Sequence, residues 1–156
     1  MSTTLLPITN VILPTEDWVM RHFSFQPSQS AVSLSFQAFI IHRPSKSMAM
    51  VTSRGQGRPM KVEWDERWDS NAQSVKAEWE RFVEECQHLA SGQDGVLNLF
   101  ATELARQKDL DRMFGTAVRS SDNEVKIYWE PLEALQGRVE GEYWNKKAKR
   151  WSPINA

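Results

Sequence analysis

The side chains with chemical potential are three histidines, one cysteine, and two groups of cations set apart from the carboxylates. His22 and His42 lie between Trp18 and Val62, a stretch without a single Asp or Glu. An imidazole beside Arg43 or Arg54 supplies the residue types of a metal-independent nuclease: a general acid or base, with a guanidinium to stabilise phosphate charge. Nothing in the spacing brings the two histidines together, so a hydrogen-bonded structural role is expected for each. Glu85-Cys86-Gln87-His88 puts a carboxylate and an imidazole one helical turn apart, as in di-iron bundles, but the chain holds no second copy. Asp122-Asn123-Glu124-Val125-Lys126 contains the Glu-x-Lys of metal-dependent nucleases, without the Asp on a preceding strand that such sites need. Cys86 falls on an apolar helical stripe, where a thiol is an inert packing residue. There is no nucleophile elbow, Walker loop or dinucleotide fingerprint. These residues predict no catalytic group, no metal site and no cofactor.

The cations carry a clearer signal. The chain has 156 residues and a net charge of −1, which by itself argues against a polyanion partner. Divided by position, residues 1–62 carry +4, residues 63–144 carry −9 and residues 145–156 carry +4. Arg43, Lys46, Arg54, Arg58 and Lys61 form the first basic group, and Lys146, Lys147, Lys149 and Arg150 the second. Clustered cations release counterions from phosphates. Trp144 and Trp151 flank the second group and are candidates to stack on unpaired bases. Arg54-Gly55-Gln56-Gly57-Arg58 has the glycines for close approach to a backbone. The competing explanation is that strands hold few carboxylates and helices many.

The elements that position these groups follow from periodicity. Residues 32–41 alternate, with Val32, Leu34, Phe36, Ala38 and Ile40 on one face of a strand. Shorter strands are expected around 8–13, 18–25, 48–53 and 60–64. Val75, Trp79, Phe82, Val83, Cys86 and Leu89 make an amphipathic helix, capped by Asp69 or Ser70 and stopped by Gly92. A second helix, from near Asp94, buries Val96, Leu97, Phe100, Ala101 and Leu104, and its pattern weakens at Lys108 and Asp109. Val125, Ile127 and Trp129 alternate in a further strand, residues 138–144 alternate again, and Asn145-Lys146-Lys147 forms a hairpin turn into Arg150-Trp151.

Strands segregated from helices predict an α+β fold: a mainly antiparallel sheet from the N-terminal strands and a C-terminal hairpin, packed against two central helices. The length fits a single domain, 1–156, that is strand-rich over 1–65, helical over 69–114 and strand-rich again over 123–152. One cysteine precludes an internal disulfide. The N-terminus lacks the basic start and apolar run of a signal peptide, and no run of about 20 apolar residues is available to span a bilayer, so a cytoplasmic location is expected, with no membrane partner. The functional expectation is a non-catalytic accessory subunit that binds RNA or single-stranded DNA within a larger assembly with protein partner subunits. Two other readings use the same residues. One is an inhibitor or immunity-type module acting through its acidic helices, and the other a small cofactor-independent hydrolase or nuclease.

Overall fold

Alternation in the first sixty residues builds antiparallel sheet, and the computed structural model describes residues 3–25, 35–54 and 58–155. The fold is α+β, and its strands are antiparallel throughout. Contacts divide the chain into two compact units, Met1–Leu104 and Ala105–Ala156.

In the first unit, strands β1 (Thr4–Leu6) and β2 (Val11–Leu13) form a small hairpin. A strand over 8–13 was expected; residues 7–10 instead make the turn, closed by Asn10 N–H donating to the Leu6 carbonyl with Asn10 at φ 61°. Four more strands form a meander: β3 (Trp18–Phe25), β4 (Phe36–His42), β5 (Met48–Ser53) and β6 (Lys61–Trp64). On β4 the buried face is Phe36, Ala38, Ile40 and His42, as alternation predicts; Val32 and Leu34 lie outside the described residues. On β3, Trp18, Met20 and Phe23 are all buried, a spacing that period two forbids. The register shifts between Arg21 and Ser24, and His22 takes φ 56°. That extra residue resets the phase, so Phe23 returns to the core.

Helix α1 (Ala72–Glu85) buries Ala72, Val75, Trp79 and Phe82, and Cys86 follows in the closing turn, fully buried. Its N-cap is Asn71 rather than Asp69 or Ser70; Asp69 instead accepts the Asn71 N–H at 2.9 Å. The helix meets the sheet through an aromatic cluster. The Trp18 ring lies 5.1 Å from Trp79, 6.0 Å from Phe82 and 6.3 Å from Trp64. Trp79 satisfies its N–H on Gln93 Oε1 at 2.8 Å. Helix α2 (Gly92–Arg112) starts on the glycine expected to end α1 and continues through Lys108 and Asp109. It bears Glu103, only 5% exposed. The Glu103 carboxylate accepts the Ile8 N–H at 3.0 Å, the Thr9 N–H at 2.8 Å and the Thr9 hydroxyl at 2.9 Å. A side chain on α2 thus holds the β1–β2 turn.

The second unit contains the end of α2 and a four-stranded sheet. Its strands are β7 (Thr116–Arg119), β8 (Val125–Tyr128), β9 (Glu142–Asn145) and β10 (Arg150–Pro153), in the order β10-β9-β7-β8. A short helix, α3 (Leu132–Leu135), follows Pro131. One sheet face packs Val118 with Leu135 and Ile154, flanked by Tyr128, Leu132, Val139 and Tyr143. The strand expected over 138–144 is reduced to β9. The residues before it fold back, with the Arg138 and Val139 N–H groups both donating to the Leu135 carbonyl. Gly115 joins α2 to β7 at φ +87°, and a Cβ there would fall 2.0 Å from the Tyr128 carbonyl oxygen. No helix among the described residues is long and apolar enough to cross a membrane.

Candidate functional site

The first basic group does not converge. Arg43 and Lys46 lie in the β4–β5 turn, with Arg43 N–H donating to the Asp17 carbonyl and Lys46 to that of His42. Arg54 follows the far end of β5, while Arg58 and Lys61 lie beyond the loop. The six residues of β5 intervene, about 17–20 Å at strand spacing. Lys61 is ion-paired to Glu63 at 3.1 Å. Gly55, Gln56 and Gly57 lie outside the described residues.

The second group occupies the β9–β10 turn, and half of it is committed to the end of α2. Lys149 pairs with the Asp111 carboxylate, and Lys146 donates to the Met113 carbonyl. Cations at the carbonyl end of a helix complement its dipole. Lys147 and Arg150 are exposed. The flanking tryptophans overturn the stacking expectation. Trp144 is 4% exposed and Trp151 8%. The two rings pack at 71° with centroids 5.4 Å apart, and Trp144 donates its N–H to Asp111 at 3.0 Å. The Arg119 guanidinium covers the Trp151 ring at 4.7 Å. These indoles are core, and neither offers a face to a base. The alternation that marked them as strand residues could not say which face the sheet buries.

The histidines also separate. His22 is exposed at the β3 bulge, with its ring 5.8 Å from Phe39. His42, three residues beyond Phe39, is buried against Trp18 at 4.8 Å. His42 Nε2 lies 2.9 Å from Glu78 Oε2, and Nδ1 lies 2.8 Å from Ser45 Oγ. A carboxylate only accepts, so Nε2–H points to Glu78, and in the neutral ring Nδ1 accepts the Ser45 hydroxyl proton. That connectivity matches the relay of a serine hydrolase. However, Ser45 Oγ also accepts the Ser47 N–H at 3.2 Å, and Ser45 does not line the adjacent cleft of Asp17, Trp18, Glu78, Arg81 and Glu85. The array therefore ties the β4–β5 turn to α1.

Glu85 ends α1, and His88 lies beyond it in an exposed turn, so the Glu-x-x-His pair shares no helical face. Among the described residues no group of three His, Cys, Asp or Glu side chains could hold a metal ion. Burial first, and the Glu85 charge second, push the Cys86 thiol up to about 11. Asp122–Glu124 belongs to a turn: Asn123 N–H donates to the Ser120 carbonyl, and Ser120 N–H to that of Glu124.

The most distinctive surface is apolar. Val125 and Ile127 on β8, and Trp129 in the bend that follows it, are exposed, Trp129 at 82%. Phe114, at 83%, precedes Gly115, whose backbone lies against Tyr128 and Trp129. β8 is an edge strand, and no strand among the described residues pairs with its outer side. The sequence contained this row, but edge position depends on strand order, which local alternation does not encode. No family model, curated protein or solved structure matches the chain.

Proposed function

We propose that this protein is a non-catalytic assembly subunit that binds protein through the apolar edge of its C-terminal sheet. The observation that carries the reading is the exposed pair Val125 and Ile127 on an edge strand, followed directly by exposed Trp129. Contiguous exposed apolar surface is uncommon on a monomer and marks interaction sites. An edge strand also offers the backbone donors and acceptors of its open side to an added strand. The RNA reading is supported less well, because its two stacking residues are buried and its first basic group is split between opposite ends of one sheet.

A photo-reactive residue at position 129, Trp129→p-benzoylphenylalanine, tests this in the source cells. A discrete protein adduct on irradiation supports the reading. A nuclease-sensitive adduct transfers the surface to nucleic acid, and no adduct removes the proposal. A labelled single strand at about 50 mM salt, where even non-specific phosphate contacts persist, provides the companion measurement by fluorescence anisotropy. No binding is expected.

A further inference from the structure

The geometry of β8 points to a second copy of this chain as the occupant of its edge. This inference rests on the reading that the edge is a docking surface. Three observations carry it: which backbone groups point outward, which side chains a two-fold axis would bring together, and how much apolar area is available.

Ser120 N–H donates to the Glu124 carbonyl, so 120 and 124 are a hydrogen-bonded pair of the β7–β8 hairpin. Bonded and non-bonded pairs alternate along an antiparallel ladder. The register Arg119↔Val125, Val118↔Lys126, Ala117↔Ile127 then turns the backbone of Lys126 toward β7 and that of Val125 and Ile127 outward. The outward groups and the exposed apolar side chains therefore belong to the same residues. Trp129 follows at the bend that closes the strand.

A two-fold axis through Ile127 uses all of them. Ile127 meets Ile127 of the second copy, Val125 meets Trp129 of the second copy, and Trp129 meets its Val125. Aromatic and β-branched residues directly opposite each other are a favourable cross-strand pair. On the reverse face Lys126 meets Tyr128 of the second copy and lies diagonal to its Glu130, a pairing of opposite charges. Moving the axis to residue 126 would set Trp129 opposite Asn123, which sits in the turn at φ 65°. Only the Ile127-centred register keeps the whole row paired.

The area suits a reversible dimer. An exposure of 82% for Trp129 corresponds to roughly 120–200 Å². With Val125 at 43% and Ile127 at 46%, each copy offers on the order of 250–350 Å² of apolar surface. Two copies bury about 500–700 Å² of apolar side chain, in the range of transient interfaces below 1,200 Å².

Cysteine substitution reads the register directly, because the native Cys86 is buried. Copper–phenanthroline oxidation should link Ile127→Cys into a covalent dimer at least about ten times faster than Val125→Cys. Two residues at 125 would lie four register positions apart, about 13 Å. Sedimentation velocity of the wild-type chain from about 10 to 500 μM should show a concentration-dependent shift from monomer toward dimer, abolished by Ile127→Lys with an unchanged circular dichroism spectrum. A monomer at every concentration, or equal cross-linking at both positions, overturns the inference. If it fails while the photo-probe at 129 still gives an adduct with a different protein, the edge remains a protein-binding surface and only the identity of its occupant falls.

Discussion

Removing the Glu103 carboxylate should detach the β1–β2 turn, and the cost can be worked from its three hydrogen bonds. Oε2 accepts the Ile8 N–H, while Oε1 accepts both the Thr9 N–H and the Thr9 hydroxyl. Hydrogen bonds to a charged acceptor contribute about 1.5–3 kcal/mol each, less when they share an acceptor and the freed donors can reach water. The turn residues are half-buried, which permits some rehydration. Glu103→Ala should therefore cost about 3–4 kcal/mol. Glu103→Gln keeps one carbonyl oxygen but turns an amide N–H toward a backbone N–H, for a loss of about 2 kcal/mol. Thr9→Val removes only the hydroxyl bond and should cost about 1 kcal/mol. Urea denaturation followed by tryptophan fluorescence measures all three, since Trp18, Trp64 and Trp79 lie in the same unit. In a double-mutant cycle, Thr9→Val should lose most of its effect once Glu103 is Ala. If Glu103→Ala costs under about 1 kcal/mol, or Gln and Ala behave alike, the carboxylate does not hold the turn.

Gly115→Ala should destabilise the protein by at least about 2 kcal/mol in the same assay, because a Cβ at φ +87° would meet the Tyr128 carbonyl at 2.0 Å; a neutral result would remove this constraint from the β7 entry. Native Cys86 should resist a thiol-specific reagent at pH 8 and react on unfolding. Burial, then the Glu85 charge, hold the Cys86 thiol above the ordinary 9.0, at about 11, so the associated stability is fully present below pH 9 and declines as pH rises toward 11. At most about 2–3 kcal/mol is involved, and Cys86→Ala should flatten that part of the stability profile; an identical alkaline slope would contradict the cause. Asp111→Ala leaves the Trp144 N–H and Lys149 without their acceptor and should cost about 2 kcal/mol, against under 1 for Lys149→Ala, whose ammonium is half exposed. Equal costs would mean that the Trp144 hydrogen bond contributes nothing.

The local structure was more legible than its arrangement. The alternation of Phe36, Ala38 and Ile40 and the helical spacing of Val75, Trp79 and Phe82 located the core-facing side chains correctly, because each reflects the period of its own backbone. The bulge at His22 was hidden, since it shows only as Met20 and Phe23 buried three apart. Helix α2 outran its apolar pattern at Lys108 and Asp109. The first basic residues look adjacent when read along the chain, but Arg43 and Lys46 lie at one end of β5 and Arg54 and Lys61 at the other. Trp144 and Trp151 seemed suited to stacking because lysines surround them in sequence; those lysines lie in the β9–β10 turn and stay in water, while the indoles sit on the two strands and are buried. Trp129 also reads as a strand tryptophan from its alternation, but it lies just past the edge strand β8 and is exposed.

The bond from Glu103 to the β1–β2 turn also imposes an order of events during synthesis. Its partners lie 94 and 95 residues earlier in the chain. At about 5–20 residues per second, the N-terminal hairpin waits roughly 5–20 s for its anchor. A two-stranded hairpin is marginal alone in water. These two strands therefore leave the ribosome well before the residue that secures them, and a nascent chain stalled before residue 103 presents Leu5, Ile12 and the rest of that hairpin to chaperones and proteases.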